Sequence, residues 1–375
     1  MIKELYVDNY RNLVNFKLPL RDLTLLLGSN GAGKTAVLDV LFALQKLVKG
    51  EAKIGDKHED RKEDVFPSHT LTRWQSRNIQ VIQLDIELDS ADFQYRLEIE
   101  HERSTQRARI SLEQLQSAGK PLFIFKGGEV TLYRDNHSQG PSYGADWGES
   151  ALARVPERHD NTKLTRFQRF MRSIIVCGLY PSNFSAESLR EEPSLKRDGG
   201  NFAAWYRHVL LEHPELTAEF SKDIGDAIDG CRGIRMAQAG PEARTMMVAF
   251  EQAGAKYELR FDEISDGQRA IIALYCLVRF AGSQGGVLML DEPENYIALP
   301  EIQPWLVKLA DACGAEIPQA VLCSHHPELI DYLGNDCGLL LQRESSGATS
   351  VRKPEVFADV PGSKLSEIIA RGWEQ

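Results

Sequence analysis

The chain has 375 residues, of which 42% are hydrophobic and 26% charged, and its formal net charge is −10. This length fits one large domain or two smaller ones. The negative charge excludes a general binder of polyanions, so contact with nucleic acid would need a local basic patch or a basic partner. No apolar run approaches the roughly 20 residues of a membrane-spanning helix, and the N terminus has no apolar signal core. Six scattered cysteines without a paired C-x-x-C motif favour reduced thiols and a cytoplasmic location.

A glycine-rich segment near the N terminus, GSNGAGKT at residues 28–35, follows an apolar run that predicts a buried strand. A helix is predicted after it, at 36–47. The segment fits G-x-x-x-x-G-K-[ST], in which glycines let backbone N–H groups point at phosphate oxygens and the positive end of the helix adds to the attraction. In this pattern Lys34 reaches the β- and γ-phosphates of a nucleotide and Thr35 binds Mg²⁺. The order of strand, loop and helix favours a phosphate loop over a chance glycine turn.

The middle of the chain predicts an antiparallel sheet followed by helices. Strand patterns separated by turn signals occur at residues 79–88, 93–102, 108–115, 121–125 and 129–135. Residues 136–148 are rich in glycine and polar side chains and are predicted to form a loop or a flexible segment. Further along, the patterns predict helices at 162–172, 202–211 and 216–228, a strand at 173–180, and a hairpin at 246–264 that turns at Ala253 and Gly254.

The last third alternates helix and strand, which predicts parallel strands with crossover helices. The predicted elements are a helix at 268–280, a strand at 286–290, a helix at 301–313, a strand at 319–323 and a closing hairpin at 338–353. The regions predicted from all these patterns are two lobes of a phosphate-loop core at 1–48 and 260–375, an antiparallel β region at 79–135 and a helical insertion at 160–235, within one unit spanning 1–375.

A basic run at residues 154–172 carries Lys163, Arg166, Arg169 and Arg172 at helical spacing. We interpret it as an ordinary solvated helix face, with a nucleic-acid footprint as the alternative.

The segment GGVLMLDEPE, residues 285–294, predicts a buried strand that ends in two carboxylates. Because consecutive strand side chains point in opposite directions, the two acids can take distinct roles. Asp291 is a candidate Mg²⁺ ligand, and Glu292 is a candidate for orienting or deprotonating an attacking water. The alternative is a strand end followed by an acidic turn, but a phosphate loop upstream favours the functional interpretation.

Two further segments carry candidate phosphate contacts. In SDGQ at residues 265–268, backbone N–H groups and the Ser265 hydroxyl at a helix start could receive a phosphate. Ser265 and Gln268 also form a capping-box pattern, so a simple helix cap is the alternative. In SHHPEL at residues 324–329, His325 at a strand tip could donate to a γ-phosphate, with a surface or capping histidine as the alternative.

Together these motifs resemble the ABC-class ATPases, in the soluble branch that contains RecF, SMC proteins and OLD-like ATPases. SDGQR resembles the signature motif, LDEPE the Walker B motif, SHHPEL the switch-histidine motif, and NYRNL at residues 9–13 the opening segment of many members. Residues 180–209 also look like the middle segment of bacterial AAA-type relatives in this branch. The resemblance covers nearly the whole chain. It implies an α/β ABC-type ATPase head, with a mixed or parallel sheet around the phosphate-loop core, an antiparallel β subdomain and an inserted helical subdomain.

The resemblance also implies the ligands and their contacts. ATP would be sandwiched between two heads, with the phosphate loop of one copy facing residues 265–268 of the other. The implied ATP contacts are Arg11, Gly28, Asn30, Gly31, Ala32, Gly33, Lys34, Thr35, Ala36, Ser265, Gly267 and Gln268. Thr35 and Asp291 would hold Mg²⁺, and Glu292 and His325 would be catalytic.

The chain departs from the family pattern in several places. The 230 residues between Thr35 and Ser265 contain no heptads, so long coiled-coil arms of the SMC type are not expected. No glutamine is clearly placed as the Q-loop residue, although Gln168 is near a suitable helix. Fifty residues follow His325, too few for a Toprim nuclease domain. Residues 296–300 also differ from the usual segment after Walker B.

Three functions remain open at the level of sequence. The first is an ATPase that dimerises around ATP and regulates a separately encoded effector, a nuclease or toxin, in bacterial antiphage defence. The second is a RecF-like DNA-binding ATPase in DNA repair, and the third is a scaffold that binds ATP without hydrolysis. The expected partners are a second head or a higher oligomer of heads, an effector protein and possible DNA, with no membrane. A transporter ATPase fits the strand-rich insertion less well.

Overall fold

The computed structural model describes residues 1–55, 63–105, 107–283, 285–353 and 364–370. The chain divides into two compact units. Unit 1 comprises Met1–Ile174 and Ile330–Gln375, and unit 2 comprises Ile175–Leu329. The phosphate-loop segment therefore belongs to unit 1, whereas the three other motifs belong to unit 2. The division into lobes at 1–48 and 260–375 stays a prediction.

Most strands of the described residues lie in unit 1, and the others lie in unit 2. In chain order the strands of the described residues are β1 Ile2–Asp8, β2 Phe16–Pro19, β3 Leu23–Leu27, β4 Ala52–Ile54, β5 Glu63–Val65, β6 Ile79–Leu88, β7 Ala91–Glu102, β8 Arg107–Ser117, β9 Lys120–Lys126, β10 Glu129–Tyr133, β11 Gln139–Gly144, β12 Ile175–Cys177, β13 Glu187–Ser188, β14 Cys231–Gln238, β15 Arg244–Gln252, β16 Ala255–Arg260, β17 Val287–Asp291, β18 Gln319–Cys323, β19 Gly338–Arg343 and β20 Thr349–Arg352.

The α-helices are fewer and stand mostly where the sequence predicts them. Those of the described residues are α1 Lys34–Lys49, α2 Thr162–Ser173, α3 Phe202–Glu212, α4 Thr217–Ala227, α5 Asp266–Ser283, α6 Leu299–Ala312, α7 Pro327–Cys337 and α8 Leu365–Ala370. None of them is both long and apolar enough to cross a bilayer. None of the six cysteines, all of which lie in the described ranges, forms a disulfide.

An eight-stranded antiparallel sheet dominates unit 1, in the order β11-β10-β9-β8-β7-β6-β1-β2. Its central strands alternate buried and more exposed residues, as β7 does with Phe93, Tyr95 and Leu97 buried between Gln94 and Arg96. This period of two packs one face of the sheet against apolar residues and leaves the other to polar ones. The predicted antiparallel strands are confirmed, and the sheet also takes in β1, β2 and β11.

The predicted loop at 136–148 is wrong over its central part, because Gln139–Gly144 forms β11. This edge strand is almost wholly exposed and contains two glycines and a proline, so it shows no hydrophobic alternation. It exists because its backbone pairs with β10. Backbone pairing of that kind leaves no signature in the side chains.

The strands next to the motifs are parallel. In unit 2, β17 lies between β12 and β18 and is parallel to both, which confirms the predicted crossover pattern. In unit 1, β3 is parallel to β19, and β19 forms the predicted closing hairpin with β20. Unit 2 also holds a small antiparallel sheet in which β15 pairs with β13, β14 and β16. Its β15–β16 hairpin turns at Ala253 and Gly254 as predicted, both with positive φ.

A buried carboxylate ties the large sheet to the chain that follows it. Glu113 on β8 is fully buried and accepts hydrogen bonds from the hydroxyls of Tyr95 and Ser150 and from the backbone N–H groups of Ala151 and Leu152. Burial raises the pKa of the Glu113 carboxyl above its ordinary value, and the four donors oppose that shift. A buried charge of this kind is tolerated because each of its oxygens has partners.

We expect Glu113→Gln to lower the free energy of unfolding by about 2 kcal/mol, because the amide has one accepting oxygen instead of two and its NH2 group replaces the acceptor of buried donors. Urea titration followed by circular dichroism measures the loss. The matched control is Glu100→Gln on β7, which removes an exposed ion pair with Arg109 and costs less than about 1 kcal/mol. Equal losses in the two variants would contradict this role for Glu113.

Candidate functional site

The glycine-rich segment of unit 1 folds as a tight loop between β3 and α1. Gly28, Gly31 and Gly33 have φ values of 137°, 81° and 110°, a region that residues with a side chain rarely adopt. Space is restricted as well: a Cβ on Gly28 would lie 2.3 Å from the backbone oxygen of Leu341. Both constraints require glycine at this position. The backbone shape demanded by the phosphate-loop pattern is therefore present.

Lys34 begins α1 and lies back across the loop. Its Nζ donates hydrogen bonds to the carbonyl oxygens of Gly28 at 2.6 Å and Ser29 at 3.3 Å, and the residue is buried. Of the other candidate contacts, Asn30, Gly31 and Thr35 are exposed, whereas Ala32 and Ala36 are buried. The first N–H groups of α1 point out of the helix start, where helices attract anions.

Two residues that the sequence reasoning missed fasten the loop. Thr349 on β20 donates its hydroxyl to the carbonyl of Ala32 at 2.8 Å. Asn12 donates its side-chain amide to the carbonyl of Gly31 at 3.1 Å and to the Thr349 hydroxyl at 2.8 Å. Asn12 belongs to the NYRNL segment and could have been considered on that basis. Thr349 is 317 residues from Ala32, so only the fold reveals it.

Arg11, a candidate ATP contact, lies beside this loop support. Its φ is 50°, and its guanidinium forms an ion pair with Asp39 on α1. The side chain is 43% exposed. It is therefore accessible to a ligand, but its charge is already partnered within unit 1.

In unit 2, the acidic strand end and the histidine segment lie side by side. Asp291 on β17 pairs with Cys323 on β18, so the residues that follow each strand emerge at one edge of the parallel pair. One carboxylate oxygen of Glu292 lies 2.9 Å from His325 Nδ1, and the other accepts a hydrogen bond from Asn295 at 2.8 Å. Glu292 has a φ of 48°, a strained conformation for a side-chain-bearing residue that often marks functional sites.

A buried hydrogen bond joins the same two loops behind this pair. The hydroxyl of Ser324 donates to Glu294, and the backbone N–H of His326 donates to that hydroxyl oxygen at 3.0 Å. Glu294 and Ser324 are both buried. Burial raises the pKa of the Glu294 carboxyl above its ordinary value, whereas the hydrogen bond from Ser324 lowers it. Glu294 and Asn295 were not singled out in the sequence, although only Pro293 separates them from the Walker B-like acids.

The SDGQ segment forms the predicted capping box at the start of α5. Gln268 N–H donates to the Ser265 hydroxyl oxygen at 3.2 Å, and Ser265 N–H donates to the Gln268 side chain at 3.2 Å. A Cβ on Gly267 would lie 2.8 Å from the carbonyl oxygen of Tyr296, so glycine is required for close packing. Ser265 remains exposed. The cap and the phosphate interpretation are therefore compatible.

Gln168, the nearest candidate for a Q-loop residue, is buried in α2 of unit 1. Its amide nitrogen donates to the backbone carbonyls of Leu152 at 2.7 Å and Val155 at 3.1 Å. This side chain anchors the chain before α2. It has no free donor to offer a nucleotide.

The basic face of α2 is largely partnered. Lys163 donates to the carbonyl of Asp135 at 2.9 Å, Arg166 lies 3.2 Å from Asp89, and Arg169 lies 2.7 Å from Glu157. The apolar side of the helix, including Phe167, is buried. This arrangement fits the interpretation of an ordinary solvated helix face.

Each of the two candidate Mg²⁺ ligands, one in each unit, carries an oxygen donor of the kind that the ion prefers. Mg²⁺ is usually held by one or two protein oxygens together with substrate phosphates and water. Thr35 offers a hydroxyl at the start of α1, and Asp291 offers a carboxylate at the end of β17. Within the described ranges, no group of three or more His, Cys, Asp or Glu side chains suits a metal ion.

Comparison with curated protein sequences finds no match. Among solved structures, the fold is similar to the SMC head bound to the C-winged helix domain of ScpA, with a TM-score of 0.57 and 12% identity over 94% of this chain and 96% of that one. It is also similar to the SMC head with an extended coiled coil bound to the C-terminal domain of ScpA derived from Pyrococcus furiosus, with a TM-score of 0.53 and 11% identity over 100% of this chain and 98% of that one.

These identities support a likeness of fold alone. The family described as "AAA domain, putative AbiEii toxin, Type IV TA system" matches residues 23–331. The chain therefore belongs to this family of AAA domains, and its mixed α/β fold is that of the SMC ATPase heads.

Proposed function

We propose that this protein binds and hydrolyses ATP, dimerises around it, and regulates a separately encoded effector. The observation that carries the proposal is the Glu292–His325 pair at the ends of two neighbouring parallel strands. A phosphate loop alone serves many nucleotide-binding proteins, whereas a carboxylate and an imidazole held 2.9 Å apart can prepare a water for attack. Membership of the AAA family supports the same class of activity.

The residue roles follow from their chemistry. Lys34 binds the β- and γ-phosphates, the N–H groups of residues 28–36 surround the phosphate oxygens, and Arg11 gives an additional cation. Thr35 and Asp291 hold Mg²⁺, which neutralises charge on the transferred phosphoryl group. Glu292 orients the attacking water, with Asn295 and His325 holding its two carboxylate oxygens in place.

ATP links two copies of the chain in this proposal. Ser265, Gly267 and Gln268 stand at the positive end of α5, and the exposed Ser265 hydroxyl can meet the γ-phosphate held by a second copy. ATP that contacts both copies binds the dimer more tightly than the monomer and so favours the dimer. Hydrolysis removes the γ-phosphate and with it that preference.

The biological setting is the coarsest part of the proposal. The family description names a toxin of a toxin–antitoxin system, which supports a role in bacterial antiphage defence with a nuclease or toxin as the effector. The SMC heads of similar fold are bound to domains of ScpA, so partner binding is compatible with this fold. We place the protein in the cytoplasm. The partnered cations of α2 give a RecF-like DNA-binding role less support than an effector-regulating one.

We expect Glu292→Gln to keep ATP affinity within about threefold and to slow hydrolysis by at least about a hundredfold, because the amide cannot take a proton from water. Light scattering with Mg-ATP then shows a shift from one copy to two. The control is Glu301→Gln in the first turn of α6, an exposed site expected to leave the rate unchanged. Hydrolysis at the wild-type rate in Glu292→Gln would refute the role of Glu292. ATP binding without turnover in both the wild type and Glu292→Gln would instead favour the scaffold.

We expect Ser265→Asp to abolish ATP-dependent dimerisation while Ser265→Asn largely preserves it. Both residues cap a helix well, but only aspartate places a negative charge against the incoming phosphate. Light scattering compares the two variants at equal concentration. If both behave like the wild type, Ser265 is a helix cap and nothing more.

Mixing variants tests whether the signature acts on the second copy. Lys34→Ala and Ser265→Asp are each expected to lack ATPase activity. A mixed dimer keeps one intact site of two, and neither variant is expected to pair with itself around ATP, so an equimolar mixture recovers up to about half of the wild-type activity. No recovery would mean that Ser265 serves its own chain.

A further inference from the structure

Trp74 is an exposed aromatic side chain on unit 1, in the segment between β5 and β6. Its exposed fraction is 47%, which is unusual for a residue that normally buries its large ring. The guanidinium of Arg343, at the end of β19, lies over the ring at 5.9 Å from its centroid. The turn that follows β19 also packs against it, because a Cβ on Gly347 would lie 3.3 Å from the indole.

The same turn leads directly to the phosphate loop. Gly347 is two residues before Thr349, whose hydroxyl holds the carbonyl of Ala32. Two residues of extended chain span at most about 7 Å. Trp74 therefore packs against a turn that lies two residues from the side chain holding the loop, within unit 1.

A second tether fixes the segment that carries Trp74. The backbone N–H of Arg11 donates to the carbonyl of Thr70 at 2.6 Å, and Tyr10 pairs with Leu71 in an isolated bridge. Arg11 in turn contacts Asp39 on α1, the helix that begins at the phosphate loop. The segment before Trp74 is thus tethered to the same elements that support the loop, which favours a preorganised surface over a mobile one.

We propose that Trp74 and Arg343 form the platform for the base of the nucleotide whose phosphates occupy the loop; this rests on the function proposed above. An indole face stacks on any base, and a guanidinium adds a cation–π contribution. Neither group reads the hydrogen-bonding edge of a base. The platform therefore supplies affinity for adenine and guanine nucleotides alike, with little selection between them.

A base of single-stranded nucleic acid is the competing occupant, since Arg73 and Arg103 are exposed near the same segment. The net charge of −10 argues against a nucleic-acid groove. The connection from Gly347 through Thr349 to Ala32 favours the bound nucleotide.

The test is calorimetric titration of the full chain with the non-hydrolysable analogue adenylyl imidodiphosphate and Mg²⁺. We expect Trp74→Ala to weaken binding about tenfold and Trp74→Phe to stay within about threefold, because stacking needs an aromatic face. The matched control is Trp147→Ala, which removes another partly exposed tryptophan of unit 1 that carries an arginine, Arg109, 4.9 Å from its centroid. This control should bind like the wild type.

Inorganic tripolyphosphate separates the base from the phosphates. It has no base, so Trp74→Ala should bind it as well as the wild type does, which also shows that the variant keeps its phosphate loop. The guanine analogue should lose affinity in Trp74→Ala as much as the adenine analogue does.

Each other outcome contradicts either the base platform or the proposed function. Equal affinity of Trp74→Ala and wild type for the nucleotide overturns the platform while leaving the proposed ATPase intact. Equal weakening toward tripolyphosphate and nucleotide assigns Trp74 to loop stability and also overturns it. Loss of single-stranded DNA retention without loss of nucleotide affinity assigns the surface to nucleic acid. Failure of the wild type to bind the nucleotide at all rejects the proposed function itself.

Discussion

The conformation of the phosphate loop depends on hydrogen bonds from residues outside the loop. Its three glycines can adopt positive φ because they have no Cβ, but the same freedom makes that shape weakly determined and entropically costly. The hydrogen bonds from Thr349 and Asn12 to the carbonyls of Ala32 and Gly31 restrict it. The loop is therefore shaped by β20 and the opening segment as much as by its glycines. Because the loop is ordered before a ligand binds, binding loses less conformational entropy.

In unit 2 the buried carboxyl of Glu294 joins the two loops that carry Glu292 and His325. Glu292 and His325 follow different strands, and each loop is free to move unless something joins them. The hydrogen bond from Ser324 to Glu294 joins the loops below the surface, where the low dielectric strengthens it. Burial raises the pKa of the Glu294 carboxyl, so as the pH rises it keeps its proton to a higher pH than a surface carboxyl does. The neutral form costs less to bury than the charged form. Glu292, at the rim, keeps contact with water.

The sequence predicts well those features that repeat as patterns in the side chains. The alternating residues of β7, the apolar run of β17 and the glycines of the phosphate loop each carry a local signal. Features made by backbone pairing or by distant partners carry none. β11 is an exposed edge strand without alternation, and Thr349 meets Ala32 only after the chain has folded. The sequence left the Q-loop residue unassigned, and Gln168, the glutamine near a suitable helix, serves as a structural anchor before α2.

Ser265 illustrates why a cap and a ligand contact need not exclude each other. In the structure its hydroxyl oxygen accepts the N–H of Gln268, a bond of 3.2 Å that is long for a strong cap. Loss of such a cap costs about 1 kcal/mol. A phosphate at the same helix start would satisfy the freed N–H and interact with the positive end of α5, so the exchange is close to balanced before any other contact forms. A weak cap thus leaves the helix stable without a ligand and open to an anion, which is the property that an ATP-dependent dimer contact requires.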